Sequence, residues 1–159
     1  MNDELPVNLR PIVDFFGLPG TAAVAKDFFV VRAIAALTAI DAAPFDLIFG
    51  GGTALARAHR IVRRMSEDVD FKVVPRAGAP VSRSGLRRQL NRLREHVSAA
   101  LLDAGFAFDP ADRSLAWARD EGRYSVWQLP YRRESGAGEG LRPTIKVELK
   151  TMRPCVDPR

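Results

Sequence analysis

FGGGTALARAHRIVRRMSEDVDFKV, residues Phe49 to Val73, sets three glycines ahead of a helix-like segment and two aspartates at alternate positions of an apolar run. Val69, Phe71 and Val73 alternate with Asp68, Asp70 and Lys72, so the run reads as a strand with one apolar and one charged face. Residues i and i+2 of a strand share a face, which makes the two carboxylates neighbours. Neighbouring carboxylates repel, and their pKa values shift unless a cation stands between them. A hard divalent ion such as Mg²⁺, bound by oxygen ligands, resolves the conflict. Two such ions about 3.5–4 Å apart form a clamp for phosphoryl and nucleotidyl transfer. A solvated strand face, partly neutralised by Lys72, accounts for the same pattern.

The glycines belong to a turn. Phe45 to Phe49 reads as a short buried strand, and Thr53 to Ile61 as a short helix, with Gly50, Gly51 and Gly52 between them. A helix N-terminus offers free N–H groups and partial positive charge, and glycine lets a phosphate approach that backbone. Thr53 can cap the helix or offer its hydroxyl to a phosphate. The spacing is neither that of a P-loop, with no GxxxxGK[ST], nor that of a dinucleotide fingerprint. A tight turn needs positive φ at one glycine, so three in a row favour close approach of a ligand.

A third carboxylate lies far along the chain. PTIKVELKT reads as a strand in which Ile145, Val147 and Leu149 face the core and Lys146, Glu148 and Lys150 face the other way. If it neighbours the Asp68–Asp70 strand, Glu148 completes the acidic site and can take a proton from an attacking hydroxyl. The alternative is a surface glutamate paired with Lys146 and Lys150.

Together, the GGTALARAHR…RRMSEDVDF stretch and a later IKVELK strand resemble the AbiEii/AbiGii-type nucleotidyltransferase toxins, within the DNA polymerase β-like nucleotidyltransferase superfamily. Gly51 and Gly52 match that superfamily's glycine turn, Asp68 and Asp70 its DxD, and Glu148 its third carboxylate. The resemblance implies Mg²⁺-dependent transfer of a nucleotide from an NTP to an acceptor hydroxyl. It further implies an RNA acceptor, often a tRNA 3′ end, and a cognate antitoxin protein as partner. Asp68, Asp70 and Glu148 are then the catalytic residues and metal ligands, with Gly51, Gly52 and Thr53 against the triphosphate. Arg64 stands where the family often carries an arginine that contacts phosphate; a surface pair with Glu67 is the other reading. Lys72 shares the carboxylate face and either reaches a phosphate or balances charge. Ser66 caps the turn into the strand or is a regulatory site, where a phosphate adds roughly −2 charge beside the carboxylates and inhibits. His59 receives no assignment. The family continues into a helical C-terminal region with a lysine and a basic-acidic motif. Residues up to Arg159 carry none, so the expectation is a single domain over 1–159 lacking that region.

Around these motifs the chain reads as α+β: a mixed β-sheet, helices packed on one face, and the charged face open. A helix is expected over Thr21–Asp41, with Thr21 as N-cap and Val24, Phe28, Val31 and Ala35 on its apolar face. A second, capped by Ser82 or Ser84, carries the stripe Leu86, Leu90, Leu93, Val97, Leu101 and stops at Gly105. Its Arg87, Arg88, Arg92 and Arg94 lie off that stripe, as a solvated face or as phosphate contacts. Extended segments follow at Gly105–Asp109, Ser114–Arg119 and Arg123–Leu129, where Trp117, Tyr124 and Trp127 suit strands. Residues 1–20, rich in Pro and Gly, drape over the core, and Pro75–Pro80 and Glu134–Gly140 are loops.

Bulk properties narrow the class. The 159 residues suffice for one domain with a core, at 47% hydrophobic and 27% charged. No run is long enough to span a membrane, and the start lacks a secretory signal, so a cytoplasmic location is expected. The single Cys155 and two histidines, His59 and His96, argue against a disulfide and against a Cys/His metal site. Net charge is +5, which favours nucleotides or nucleic acid as partners. However, 20 of the 24 basic residues are Arg, a bias that GC-rich coding also produces. Three functions remain open: a nucleotidyltransferase, a degenerate domain that binds nucleotide, RNA or antitoxin without transfer, and a metal-dependent phosphohydrolase.

Overall fold

The computed structural model describes residues 8–17, 20–52, 54, 67–79, 82–132 and 141–152. In chain order these form α1 (Arg10–Phe16), α2 (Thr21–Thr38), β1 (Phe45–Gly50), β2 (Asp68–Pro75), α3 (Arg83–Asp103), β3 (Ala116–Arg119), a 3-10 turn (Asp120–Gly122), β4 (Tyr124–Pro130) and β5 (Thr144–Thr151). The strands make one five-stranded sheet in the order β1-β2-β5-β4-β3. β2 and β5 run parallel, while β1–β2, β5–β4 and β4–β3 are antiparallel, so the sheet is mixed and the class is α+β as expected.

Strand alternation decides which side is core. Val69, Phe71 and Val73 of β2 and Ile145, Val147 and Leu149 of β5 are all buried. Trp127 and Leu129 of β4 share their face and are fully buried, and Trp127 Nε1 donates to Ser98 Oγ of α3 at 2.9 Å. Each such aliphatic or aromatic side chain stabilises the fold by about 1.5–3 kcal/mol on leaving water. The helices lie on this face: α2 contacts β2, β5 and α3. The opposite face carries Asp68, Asp70, Lys72, Lys146, Glu148 and Lys150.

α3 follows its sequence pattern. Ser82 caps it by accepting from Gly85 N at 3.2 Å, and Leu90, Leu93, Val97 and Leu101 are buried. Gly105, at φ +83°, stands just beyond its end.

Several expectations change in the structure. The N-cap of α2 is Gly20, not Thr21, and its buried residues are Ala25, Lys26, Val30, Ala33 and Leu37. Val31, expected on the apolar face, is exposed. TAAVAKDFFVVRAIAALT is apolar on nearly every side, so periodicity could not select the face. Gly105–Asp109 is no strand. It turns Phe106 and Phe108 into the core, but among the described residues no strand pairs with it. Residues before α2 include the short helix α1, whose Leu9 N-cap and Val13 are buried. Arg94 is only half-exposed, and its Nε is buried. The helix expected at Thr53–Ile61 lies outside the described residues except Ala54, which is helical and buried. The Glu134–Gly140 loop lies outside them too.

Candidate active site

Sheet register joins the two halves of the opening motif. Gly50 of β1 pairs with Asp70 of β2, and Asp70 pairs with Glu148 of β5. The glycine turn, the second aspartate and the distant glutamate are thus aligned across three adjacent strands. Gly51 follows at φ +72°, a conformation that suits glycine. A Cβ there would stand 2.8 Å from the Asp70 carboxyl carbon, so the bare backbone is pressed against that carboxylate. Gly51 and Gly52 are helical, so the chain turns into its helix beside Asp70.

The carboxylates differ in their partners. Glu148 is buried, at 4% exposure, yet it is paired with Lys146 and with Lys150, the latter at 2.7 Å, and accepts from the Tyr124 hydroxyl at 2.7 Å. Burial pushes its carboxyl up, but hydrogen bonds from Lys146, Lys150 and Tyr124 outweigh burial and hold it at about 2. Asp70 moves the other way: burial, then the Glu148 carboxyl beside it, raises its pKa, and Lys150, 3.9 Å away, offsets this in part. Burial and the Glu148 carboxylate push the Tyr124 phenol up to about 12. Asp68 lies at the start of β2, with its Oδ1 3.2 Å from Arg142 Nη1. Glu148 thus has the lysine partners of the second reading but is buried, not a surface side chain, and it stands against Asp70.

A second layer, absent from the sequence reading, supports this row. Lys26 of α2 is fully buried and ion-paired with Glu67, the residue before Asp68. Its Nζ also donates to the Arg142 carbonyl at 2.9 Å, while Arg142 N donates to Glu67 Oε2 at 3.1 Å. Burial raises the Glu67 carboxyl, and the Lys26 and Arg142 hydrogen bonds overcome that and lower it. Helix α2, the start of β2 and the approach to β5 are thus clamped where Asp68 sits. The available signal was a lysine within an apolar helix, at a position periodicity could not orient.

Lys72 is exposed on the same sheet face, opposite Ile48 of β1. Thr53, Arg64, His59 and Ser66 lie outside the described residues. Among the described residues, no three acidic, histidine or cysteine side chains form a group that could hold a metal ion. Asp70 and Glu148 adjoin, whereas Asp68 is engaged by Arg142 and Glu148 by two lysines.

A family model for the nucleotidyl transferase AbiEii toxin of type IV toxin–antitoxin systems matches residues 33–158. The chain belongs to this family. The match spans the glycine turn, the DxD strand and the Glu148 strand, so the AbiEii assignment covers the whole acidic row. It makes the chain a nucleotidyltransferase and implies an antitoxin partner and a nucleotide substrate. No curated protein and no solved structure matches it. No helix among the described residues of this AbiEii chain is long and apolar enough to cross a membrane.

Proposed function

We propose that this AbiEii protein transfers a nucleoside monophosphate from an NTP to a hydroxyl at an RNA end, with tRNA as the leading acceptor, and that a cognate antitoxin restrains it in the cytoplasm. The observation that carries the reading is the alignment of Gly50, Asp70 and Glu148 on neighbouring strands beside the positive-φ Gly51. The acceptor oxygen bonds to the α-phosphorus, the bond to the β-phosphate bridging oxygen breaks, and pyrophosphate leaves. The acceptor proton passes to a carboxylate of the row.

The donor set is all oxygen, and Asp70 carries a charge that its surroundings resist, which fits a hard divalent ion. Asp68, Asp70 and Glu148 do not form a metal-holding group as they stand. Mg²⁺ would need Asp68 released from Arg142 and Glu148 from its lysines to join Asp70, and would then supply charge neutralisation at the triphosphate and polarise the attacked phosphorus. Gly51, Gly52 and Thr53 present main-chain N–H groups and a hydroxyl to the triphosphate. Arg64 and Lys72 supply positive charge to it. Lys146 and Lys150 have a further part. Once triphosphate oxygens compete for them, Glu148 loses the ion pairs that hold it at about 2 and becomes a better proton acceptor.

A second reading has its own observation. Arg142, Lys146 and Lys150 already occupy the carboxylates, as in a domain that binds nucleotide, RNA or antitoxin without transfer. Incubation with each labelled NTP, Mg²⁺ and total RNA separates the two. Label on RNA that disappears with Asp68→Ala supports transfer. Tight binding with no label supports the second reading, and release of free phosphate indicates a phosphohydrolase.

A further inference from the structure

From the acidic row the same sheet face continues outward over Val126, which is fully buried, to two rings and a guanidinium group that the chemistry above does not use. Val126 pairs with Glu148, and Trp117 pairs with Val126, so Trp117 shares the carboxylate face, as does Arg119 two residues on. The Trp117 ring packs edge-on against Tyr124, centroids 5.4 Å apart, and the Arg119 guanidinium lies 4.8 Å from the Trp117 ring centre. Tyr124 connects this pair to the site through its hydrogen bond to Glu148. Beside the outer strand lies a cleft of about 600 Å³ whose lining includes Arg94, Arg113, Trp117 and Arg119 and no carboxylate. Arg94 Nε is buried with no hydrogen-bond partner among the described residues. A buried, unsatisfied donor is costly and is relieved by an acceptor such as a phosphate oxygen.

We infer that this edge binds the unpaired end of a nucleic-acid strand, with a base stacked on Trp117 and Arg119 and phosphates held by Arg94 and Arg113. The inference rests on the transfer reading for one point, that the same strand's terminal hydroxyl reaches the carboxylates. Aromatic and guanidinium planes stack on bases of any sequence, and arginines follow the backbone. Three strand spacings separate Asp70 from Trp117, about 14 Å, the span of a few nucleotides. A duplex hides its base faces in its own stack, so the platform selects single strands.

The chain has two tryptophans, and Trp127 is fully buried, so quenching of tryptophan emission by a ligand reports Trp117. The probe is a ten-residue oligoadenylate, compared with a blunt RNA duplex of equal length. The full chain carrying Asp68→Asn and Asp70→Asn is used, so that no transfer occurs. Quenching by the oligomer is expected, with the duplex binding at least tenfold more weakly. By anisotropy of a labelled oligomer, Trp117→Ala and Arg119→Ala each weaken binding about tenfold or more, while Trp117→Phe retains most of it. Arg94→Ala reduces the salt dependence by about one phosphate contact. Unchanged affinity in folded Trp117→Ala and Arg119→Ala overturns the inference, as does equal binding of the duplex. If the oligomer binds as described while wild-type protein labels no RNA, the transfer reading falls and the platform stands. If wild-type protein labels RNA and Trp117→Ala leaves the KM for RNA unchanged, the platform falls and transfer stands.

Discussion

Asp70 and Glu148 stand opposite each other across the parallel β2–β5 pairing, and one is pushed toward its neutral form while the other is held ionised. Lysines flank Glu148 closely, so the shared negative charge settles there and Asp70 bears the repulsion. This asymmetry predicts opposite effects of one substitution. Asp70→Asn removes a carboxylate that resists ionisation, and raises the melting temperature of the metal-free protein. It also removes a proposed ligand, and lowers nucleotide transfer at least a hundredfold, about 3 kcal/mol in the barrier. Calorimetry and labelled-NTP transfer on the same preparation check both. A fall in both, or a rise in both, contradicts this account of Asp70.

The pH dependence follows from the same pair. Glu148 is held at about 2 in the fold against an ordinary value of 4.5, so its stabilisation is complete above pH 4.5 and is lost as pH falls toward 2. The contribution is on the order of 3 kcal/mol. Asp70 acts in the opposite sense, since its raised pKa means that protonation on acidification relieves repulsion. Glu67, lowered like Glu148, keeps part of the acid sensitivity. Glu148→Gln is therefore less stable than wild type at pH 7, and its stability declines less steeply between pH 4.5 and 2. Urea midpoints at pH 7, 5, 4 and 3 for the two proteins measure this. Parallel curves across that range would remove Glu148 from the acid limb.

Two adjacent glycines make a controlled comparison. Gly51 has φ +72°, and a Cβ there meets the Asp70 carboxyl, whereas a Cβ on Gly50 meets nothing nearer than Lys72 Cε at 3.9 Å. Gly51→Ala is predicted to cost about 1–2 kcal/mol in left-handed strain and to displace Asp70. Transfer by Gly51→Ala falls well beyond what the stability loss explains, and Gly50→Ala stays within about threefold of wild type. Thermal melts and transfer rates on the two variants provide the measurement. Equal behaviour of the two would mean that backbone contact with Asp70 is irrelevant.

Period-two alternation made the acidic face readable. Asp68, Asp70 and Glu148 each stand among inward Val, Ile, Leu and Phe, and a strand leaves such residues one side to occupy. That β2 and β5 are neighbours was not readable, because α3, β3 and β4 intervene and alternation says nothing about partners. Ser82 and Gly105 marked the ends of α3 because capping chemistry is local. Gly105–Asp109 misled because Phe106 and Phe108 alternate as a strand would, while pairing depends on a neighbour that the local pattern does not contain. Lys26 escaped notice for a related reason: an apolar helix does not declare which side is inside, and the partner of Lys26 lies 41 residues away.

That partner, Glu67, decides the last test. Lys26 is fully buried, so Lys26→Met takes the cation from Glu67, which keeps the Arg142 N–H, and leaves the Arg142 carbonyl with the Tyr131 hydroxyl at 3.3 Å. Glu67 retains some exposure to water, at 25%, which places the cost at about 3 kcal/mol, the low end for breaking a buried pair. Converting both partners removes the stranded charge, so Lys26→Met with Glu67→Gln recovers most of the lost stability. Transfer follows a different course. Arg142 is tied to Lys26, to Glu67 and to Asp68, so loss of the clamp loosens the start of β2 even when the protein is stable. The double variant is therefore predicted to melt near wild type and to show a kcat at least tenfold lower, with KM for NTP little changed. A double variant with wild-type kcat would reduce the clamp to a fold element with no hold on Asp68.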